Sequence, residues 1–237
     1  MSDRFSQKLQ QQRRKTRWRM AAVVAGLVLI GLGVWLVFYS SVLAIDEVEV
    51  SGTKYLTPEQ VTQAAEVPMG KPLVRLEVEK VVDRVEDLLI VKSATVDRKL
   101  PHSVLISVTE RNAVAWLEVD GEPWAVDGSG VVYRQLANRP GHIPELKVDA
   151  RDRRTVAAAA AVAADVMGDG SILAQQVQAI SAQSRDSIEL DLTEGRTVFW
   201  GSRQDSATKL TVLEALLKTD ARVYDVSAPE RPTTADS

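Results

Sequence analysis

The longest feature of the hydrophobicity pattern is a run of 26 uncharged residues from Met20 to Ile45. An α-helix needs about 20 apolar residues to cross a hydrocarbon core of ~30 Å, so this run predicts one transmembrane helix over residues 20–43. Trp18 lies at one border, and Trp35 and Tyr39 lie toward the other, where interfacial aromatic residues are enriched. The residues taken to represent this membrane anchor are Ala21, Leu27, Leu32, Trp35 and Phe38.

Charge differs strongly on the two sides of this run. The first nineteen residues hold seven Lys or Arg and one acid, Asp3, whereas the rest of the chain holds 22 bases and 31 acids, a net charge of −9. Basic residues stay on the cytoplasmic side, so residues 1–19 are predicted to be a cytoplasmic tail that touches anionic lipid. The chain is then a single-pass, type II protein of the plasma membrane. An outer part this acidic repels phosphate backbones, which argues against nucleic-acid binding.

A cleavable signal peptide is the competing interpretation of the same run. Val42-Leu43-Ala44 is a tolerable cleavage-like tripeptide. The apolar region of a signal peptide usually has about 7–15 residues, and this run is far longer. The length therefore favours an uncleaved anchor.

Residues 44–112 have the pattern of a compact α+β domain. Residues 45–50 alternate between apolar and polar and end at Gly52, which indicates a strand and a turn. Thr57-Pro58-Glu59-Gln60 has the form of a capping box that begins a short helix, and a second amphipathic helix covers about residues 77–88. Two strands follow, at about 91–99 and 104–110. The order predicts two helices on one face of a three-stranded sheet.

Residues 113–228 predict a second, mixed domain with an antiparallel sheet and two helices. Asp120-Gly121 and Asp127-Gly128-Ser129-Gly130 are turns that connect three short strands. An alanine-rich helix at about 153–166 precedes three more strands, and Asp205 is a candidate cap for a last helix. A final strand covers about 222–226. Residues 229–237 contain no large apolar residue and are predicted to be a flexible tail.

Residue types that carry chemistry are scarce. The chain has no cysteine, which excludes disulfides and thiol catalysis, and its two histidines lie in predicted loops. Gly128-Ser129-Gly130 lacks the G-x-S-x-G pattern of a nucleophile elbow. We therefore expect no catalytic, cofactor-binding or metal-binding residue, no cofactor and no small-molecule substrate.

Binding through a strand edge is the remaining chemistry. The strand at about 222–226 comes late and precedes a tail, which places it at a predicted sheet edge, where unpaired backbone groups accept a partner strand. Tyr224 is the best candidate for a side-chain anchor, although a half-buried strand residue is an equal interpretation. For Phe199 and Trp200, packing in the core is favoured.

Several motifs resemble one bacterial family. Residues 48–52, 93–101 and 106–111 are similar to a POTRA domain, and more narrowly to that of the cell-division family FtsQ/DivIB. The family usually has a proline after Glu-Arg, whereas this chain has Asn112-Ala113. The Trp124 hairpin and the segments 199–217 and 224–232 are similar to the C-terminal half of that family. The resemblance covers nearly the whole chain.

This resemblance implies a non-catalytic bitopic scaffold of the divisome that links early and late division proteins at the septum. The implied partners are the FtsB/FtsL (DivIC/FtsL) coiled-coil pair, bound by strand addition, and septal synthase components. The residues to which it assigns partner binding are Val223, Tyr224, Asp225, Val226 and Ser227. Further contributors are the neighbouring strand Thr197–Trp200, with Trp200 as its chosen residue, and Lys209.

A membrane-anchored POTRA module of a secretion or envelope-assembly complex is the alternative function. Such a module precedes a barrel of many alternating strands of ~10 residues. Only 125 residues follow residue 112, and two predicted helices interrupt them. A membrane-anchored enzyme is a third class, against which the lack of an acid, base or metal set argues.

Overall fold

The structure is a computed structural model that describes residues 18–33, 35, 43–168 and 171–236. The chain divides into two compact units, Met1–Glu110 and Arg111–Ser237. Each unit has a hydrophobic core of its own.

The described part of the predicted anchor is helical. Residues 18–33 and 35 form helix, and the side chains of Ala21, Leu27, Leu32 and Trp35 are exposed. Among the residues that the structure describes, none of the helices is both long and apolar enough to span a membrane. Phe38 lies outside the described residues. The transmembrane helix therefore stays a prediction.

The first unit is a three-stranded sheet with two helices. Its elements are β1 (Glu47–Ser51), α1 (Pro58–Ala65), α2 (Val78–Glu86), β2 (Val91–Lys99) and β3 (Ser103–Glu110). The sheet order is β1-β3-β2, with β1 parallel and β2 antiparallel to β3. The predicted strand, helix, helix, strand, strand order is confirmed.

Local sequence explains how α1 begins. The Thr57 N–H donates to Oε1 of Gln60 at 2.9 Å, and the Gln60 N–H donates to Oγ1 of Thr57 at 3.3 Å. This reciprocal pair satisfies two backbone donors that the first turn leaves open. The apolar faces of both helices and of the sheet meet in one core, which includes Val61, Ala65, Val81, Val85, Val96, Val104, Ile106 and Val108.

The second unit is one large sheet with two helices. Its strands are β4 (Ala113–Val119), β5 (Glu122–Asp127), β6 (Val132–Gln135), β7 (Glu145–Lys147), β8 (Val177–Ser184), β9 (Ser187–Leu192), β10 (Thr197–Gly201), β11 (Val223–Asp225) and β12 (Thr233–Ala235). Its helices are α3 (Arg153–Val166) and α4 (Ser206–Leu216). Among the described residues the order of the nine strands is β12-β11-β10-β9-β8-β7-β4-β5-β6.

The prediction of an antiparallel sheet was wrong in part, because this sheet is mixed. Strand β7 pairs in parallel with both β4 and β8, and thereby joins two antiparallel groups of strands. Strand β11 also pairs in parallel with β10. Helix α4 lies between β10 and β11 in the chain, and a crossover of this kind is what parallel neighbours require.

The two helices of the second unit begin differently. The Asp152 carboxylate caps α3 by accepting the N–H groups of Arg154 and Thr155. Asp205 holds the corresponding position before α4, but its side chain makes no capping bond. Its backbone is left-handed, with φ of 56°, instead of the extended conformation of a capping residue. The prediction that the Asp205 side chain caps this helix was therefore wrong.

Candidate functional site

Strand β11, which contains the predicted partner edge, has a neighbour on each side. It pairs in parallel with β10, where Val198 faces Tyr224. On its other side it pairs antiparallel with β12, where Thr234 faces Tyr224. The expectation that this strand is a free edge was thus wrong. The segment predicted to be a flexible tail supplies the covering strand, because strand pairing uses backbone groups and needs no large apolar side chain.

The predicted anchor side chain lies inside the second unit. Tyr224 is 0% exposed, as are its neighbour Val226 and Trp200 on β10. The Tyr224 hydroxyl donates to the carbonyl oxygen of Thr219 at 3.0 Å. These three side chains form part of the core, so they hold β11 in place and present nothing to a partner.

Lys209 is also an internal residue, with 2% of its surface exposed. Its Nζ donates to the carbonyl oxygens of Trp200 at 2.9 Å and Ser202 at 2.8 Å. Burial lowers the pKa of Lys209, while the charges of Asp205 and Asp225 oppose that shift. The ammonium group links α4 to the end of β10, the strand that pairs with β11. Its position is that of a supporting residue and not of a contact residue.

The accessible part of the predicted site consists of Val223, Asp225 and Ser227. Oδ1 of Asp225 accepts the Ser227 N–H at 2.9 Å and the Ser227 hydroxyl at 2.6 Å, which fixes the turn after β11. Gly201 ends β10 with φ of 75°, and a Cβ there would lie 3.0 Å from the Cβ of Ser227. The left-handed backbone and this tight contact both favour glycine at position 201.

Phe199 is the exposed aromatic residue next to β11, so the expectation that it packs in the core was wrong, whereas for Trp200 it was correct. Phe199 is 39% exposed, whereas its neighbour Trp200 is fully buried. In the sheet register Phe199 lies between Glu189 on β9 and Asp225 on β11. Strand alternation could have shown that Phe199 and Trp200 face opposite sides. It could not show which side the helices cover.

The open face therefore gathers an aromatic ring, two carboxylates and an aliphatic side chain near β11. These are Phe199, Glu189, Asp225 and Val223. Among the described residues there is no group of three His, Asp or Glu side chains placed to hold a metal ion. An exposed aromatic ring flanked by carboxylates is chemically suited to contact with a basic side chain.

Two family models match this chain. Residues 43–111 match the POTRA domain, FtsQ-type, and residues 115–231 match the C-terminal domain of cell division protein FtsQ/DivIB. The chain also resembles curated proteins named cell division protein FtsQ. It is 33% identical to that of Streptomyces venezuelae over 242 residues, which cover 94% of this chain and 88% of the relative. It is 36% identical to that of Streptomyces bingchenggensis over 232 residues, 92% of this chain and 87% of the relative.

Another relative and one solved structure also match. The FtsQ of Mycobacteroides abscessus is 35% identical over 217 residues, which cover 90% of this chain and 68% of the relative. The major extracytoplasmic domain of DivIB from Geobacillus stearothermophilus matches with 16% identity and a TM-score of 0.37, over 52% of this chain and 98% of that one. A TM-score this low carries no argument.

A POTRA domain of the FtsQ type followed by this C-terminal domain defines a class of bacterial cell-division proteins. The resemblance inferred from the sequence motifs is confirmed. The chain belongs to the FtsQ/DivIB family.

Proposed function

We propose that this protein is a non-catalytic bitopic membrane scaffold of the divisome. Residues 20–43 anchor it in the plasma membrane, residues 1–19 lie in the cytoplasm, and the two folded units lie outside, concentrated at the septum. There it links early and late division proteins. Its partners are the FtsB/FtsL (DivIC/FtsL) coiled-coil pair, bound by strand addition, together with septal synthase components.

The observation that carries this proposal is the end of the nine-stranded sheet. The last strands, β11 and β12, have three residues each, and β11 is fixed from inside by the buried side chains of Tyr224 and Val226. Backbone pairing at such an end supplies about 0.5–1.5 kcal/mol net per hydrogen bond, with little dependence on sequence. In the recognition of an added strand, backbone hydrogen bonds provide affinity and alternate side chains provide specificity.

The exposed side chains of β11 indicate the chemistry of the added strand. Val223 and Asp225 both point to the open face, beside Phe199. Residues directly opposite each other on neighbouring strands interact, and opposite charges or apolar pairs are favourable. A partner strand therefore carries a basic residue opposite Asp225 and an apolar residue opposite Val223. Phe199, on the strand that pairs with β11, is the exposed aromatic ring nearest to that basic side chain.

A charge placed at Val223 tests the site. The Val223→Lys chain, purified in detergent, is compared with wild type for capture of the extracytoplasmic parts of the host's FtsB-like and FtsL-like proteins. We expect capture at least about tenfold weaker, which corresponds to ~1.4 kcal/mol. The matched control is Ser181→Lys, on the same face of the sheet but three strands away from β11. Equal capture by a folded Val223→Lys chain refutes the site.

Imaging tests the cellular role separately. A fluorescent fusion of the full chain is expected to form a band at midcell in dividing cells. A uniform membrane signal throughout the cell cycle would contradict a divisome role, whatever the outcome of the capture experiment.

A further inference from the structure

The outer side of β11 is occupied by the chain itself. Strand β12 pairs with it antiparallel, with Ala235 opposite Val223 and Thr233 opposite Asp225. The Arg222 N–H adds a bond to the carbonyl oxygen of Ala235 at 3.2 Å. A partner strand that pairs with β11 needs the backbone groups that β12 already uses.

Those backbone groups are easily identified. On the inner side, the carbonyl of Arg222 accepts the Thr197 N–H and the N–H of Val226 donates to Phe199, both on β10. Successive residues of a strand point their N–H and C=O groups to opposite sides, so those of Val223 and Asp225 point toward β12. Val223 and Asp225 also carry the exposed side chains of the candidate site.

Strand β12 is held by little apart from this pairing. Every described residue from Glu230 to Asp236 is exposed, and none belongs to the core of the second unit. The last core residue in this part of the chain is Val226, directly after β11. The family match to the C-terminal domain also ends at residue 231, so β11 lies inside the family domain and β12 lies after it. The domain therefore has its core and its family-defining part without this strand.

We infer that β11 is the acceptor edge for the partner strand and that residues 232–236 are an internal strand that competes for it. This inference rests on the proposed function, since it concerns the regulation of the same site. The partner strand replaces β12 and takes over its register against Val223 and Asp225. The apparent affinity for the partner is then reduced, because only the molecules in which β12 is undocked can bind it.

Removal of the internal strand is the first arm of the test. The full chain ending at Arg231 is compared in detergent with wild type and with a control chain ending at Ala235, which retains β12. The probe is the purified extracytoplasmic part of the host's FtsB-like and FtsL-like pair. We expect the chain ending at Arg231 to bind about tenfold more tightly than wild type, and the control to bind like wild type.

A covalent lock is the second arm. Paired residues of antiparallel strands have Cα atoms about 4.5–5.5 Å apart, which is within the range of a disulfide. Because the natural chain has no cysteine, Val223→Cys combined with Ala235→Cys allows one disulfide only. The oxidised chain should lose capture of the probe, and a reductant should restore capture to the level of the single Val223→Cys chain.

Each result supports or overturns the inference. Weaker binding by the chain ending at Arg231 means that the partner adds outside β12, and overturns it. Undiminished binding by the oxidised double-cysteine chain overturns it as well. A failure of every variant to bind, the shortened one included, overturns the proposed function and the competition together. Amide exchange without partner is an independent reading: Val223 and Asp225 should exchange faster in the chain ending at Arg231 than in wild type.

Discussion

Glu110 offers a sharp test of how the first unit is held together. Its side chain, on a residue that is 8% exposed, accepts three consecutive backbone N–H groups from the segment before α1. Oε1 lies 2.8 Å from the nitrogen of Lys54, 3.0 Å from that of Tyr55 and 2.9 Å from that of Leu56, while Oε2 lies 2.9 Å from that of Tyr55. One carboxylate thus joins the end of β3 to the segment that follows β1.

The ionised form of Glu110 is the one that makes these bonds well. Burial alone would raise the pKa of Glu110, but the N–H donors of Leu56, Lys54 and Tyr55 outweigh it, and the charge of Lys54 adds to their effect. The pKa of Glu110 in the folded protein is therefore below its ordinary value. Its contribution to stability is fully present above the unfolded pKa of about 4.3, and is lost as the pH falls through the lower folded pKa.

The substitution Glu110→Gln keeps the shape and removes the charge. One amide oxygen can still accept N–H groups, but an NH₂ group now faces the Tyr55 donor in place of Oε2. A hydrogen bond to a charged group contributes about 1.5–3 kcal/mol and a neutral one about 0.5–1.5 kcal/mol. The expected cost for the set is about 1–3 kcal/mol. In a domain of this size that lowers Tm by at least about 4 °C.

The measurement is thermal unfolding of the full chain, with amide exchange of β3 to identify the first unit. The difference in Tm between wild type and Glu110→Gln should be largest at pH 7. It should become smaller as the pH is lowered stepwise below about 4, because the wild-type carboxylate is then protonated as well. Glu49→Gln, on the exposed side of β1, is the control and should change stability by less than about 0.5 kcal/mol. An unchanged Tm at pH 7, or a loss that is independent of pH, refutes this account of Glu110.

Two further substitutions probe backbone and buried-charge effects. Gly52 and Gly70 have φ of 82° and 77°, but a Cβ at Gly52 would lie 2.0 Å from the carbonyl oxygen of Val108, whereas nothing lies within 4 Å at Gly70. In a denaturant titration, Gly70→Ala should lower the free energy of unfolding only by the left-handed strain of about 1–2 kcal/mol. Gly52→Ala should lower it clearly more. Equal losses for the two variants would contradict the close approach at Gly52. Lys209→Ala leaves two carbonyls without their donor and should destabilise the second unit by about 2–4 kcal/mol. In the same assay, Lys218→Ala, at an exposed position, should change the stability of the second unit by less than about 0.5 kcal/mol. Similar losses of stability for the two variants would show that the buried ammonium is not needed.

Much of the fold could be predicted because its signals are local. The capping box at Thr57 and the alternation in β3 identify their elements within a few residues of chain. Strands β7 and β12 carry no such signal. Each has three residues, and each is a strand only because another segment of the chain pairs with it. The parallel pairing of β7 with β4 and β8 is a tertiary property in the same sense.

The position of the binding site stays a prediction, but the structure shows that the sequence could not tell which of its side chains are accessible: Tyr224, Val226 and Trp200 are buried. Alternation along β10 and β11 places Phe199, Val223 and Asp225 on one face and Trp200 and Tyr224 on the other. Both sets contain an aromatic residue, so hydrophobicity does not identify the covered face. That choice is made by the core around Leu213 of α4, which the pattern of a single strand does not contain.

The proposed addition of a partner strand depends on the buried half of β11 as much as on its exposed half. A strand of three residues with free sides would gain too little from pairing to offset the ordering of its backbone, which costs roughly 1–2 kcal/mol per residue. In this protein the ordering is already achieved by the folded unit, because Tyr224 and Val226 are fixed in the core. An added strand then orders only itself, and so does the internal strand β12. In the competition that we infer, the two strands differ in the side chains placed opposite Val223 and Asp225 and in the tether of β12. A tethered strand of Thr and Ala makes weak cross-strand contacts, which leaves the edge open to a better-matched partner.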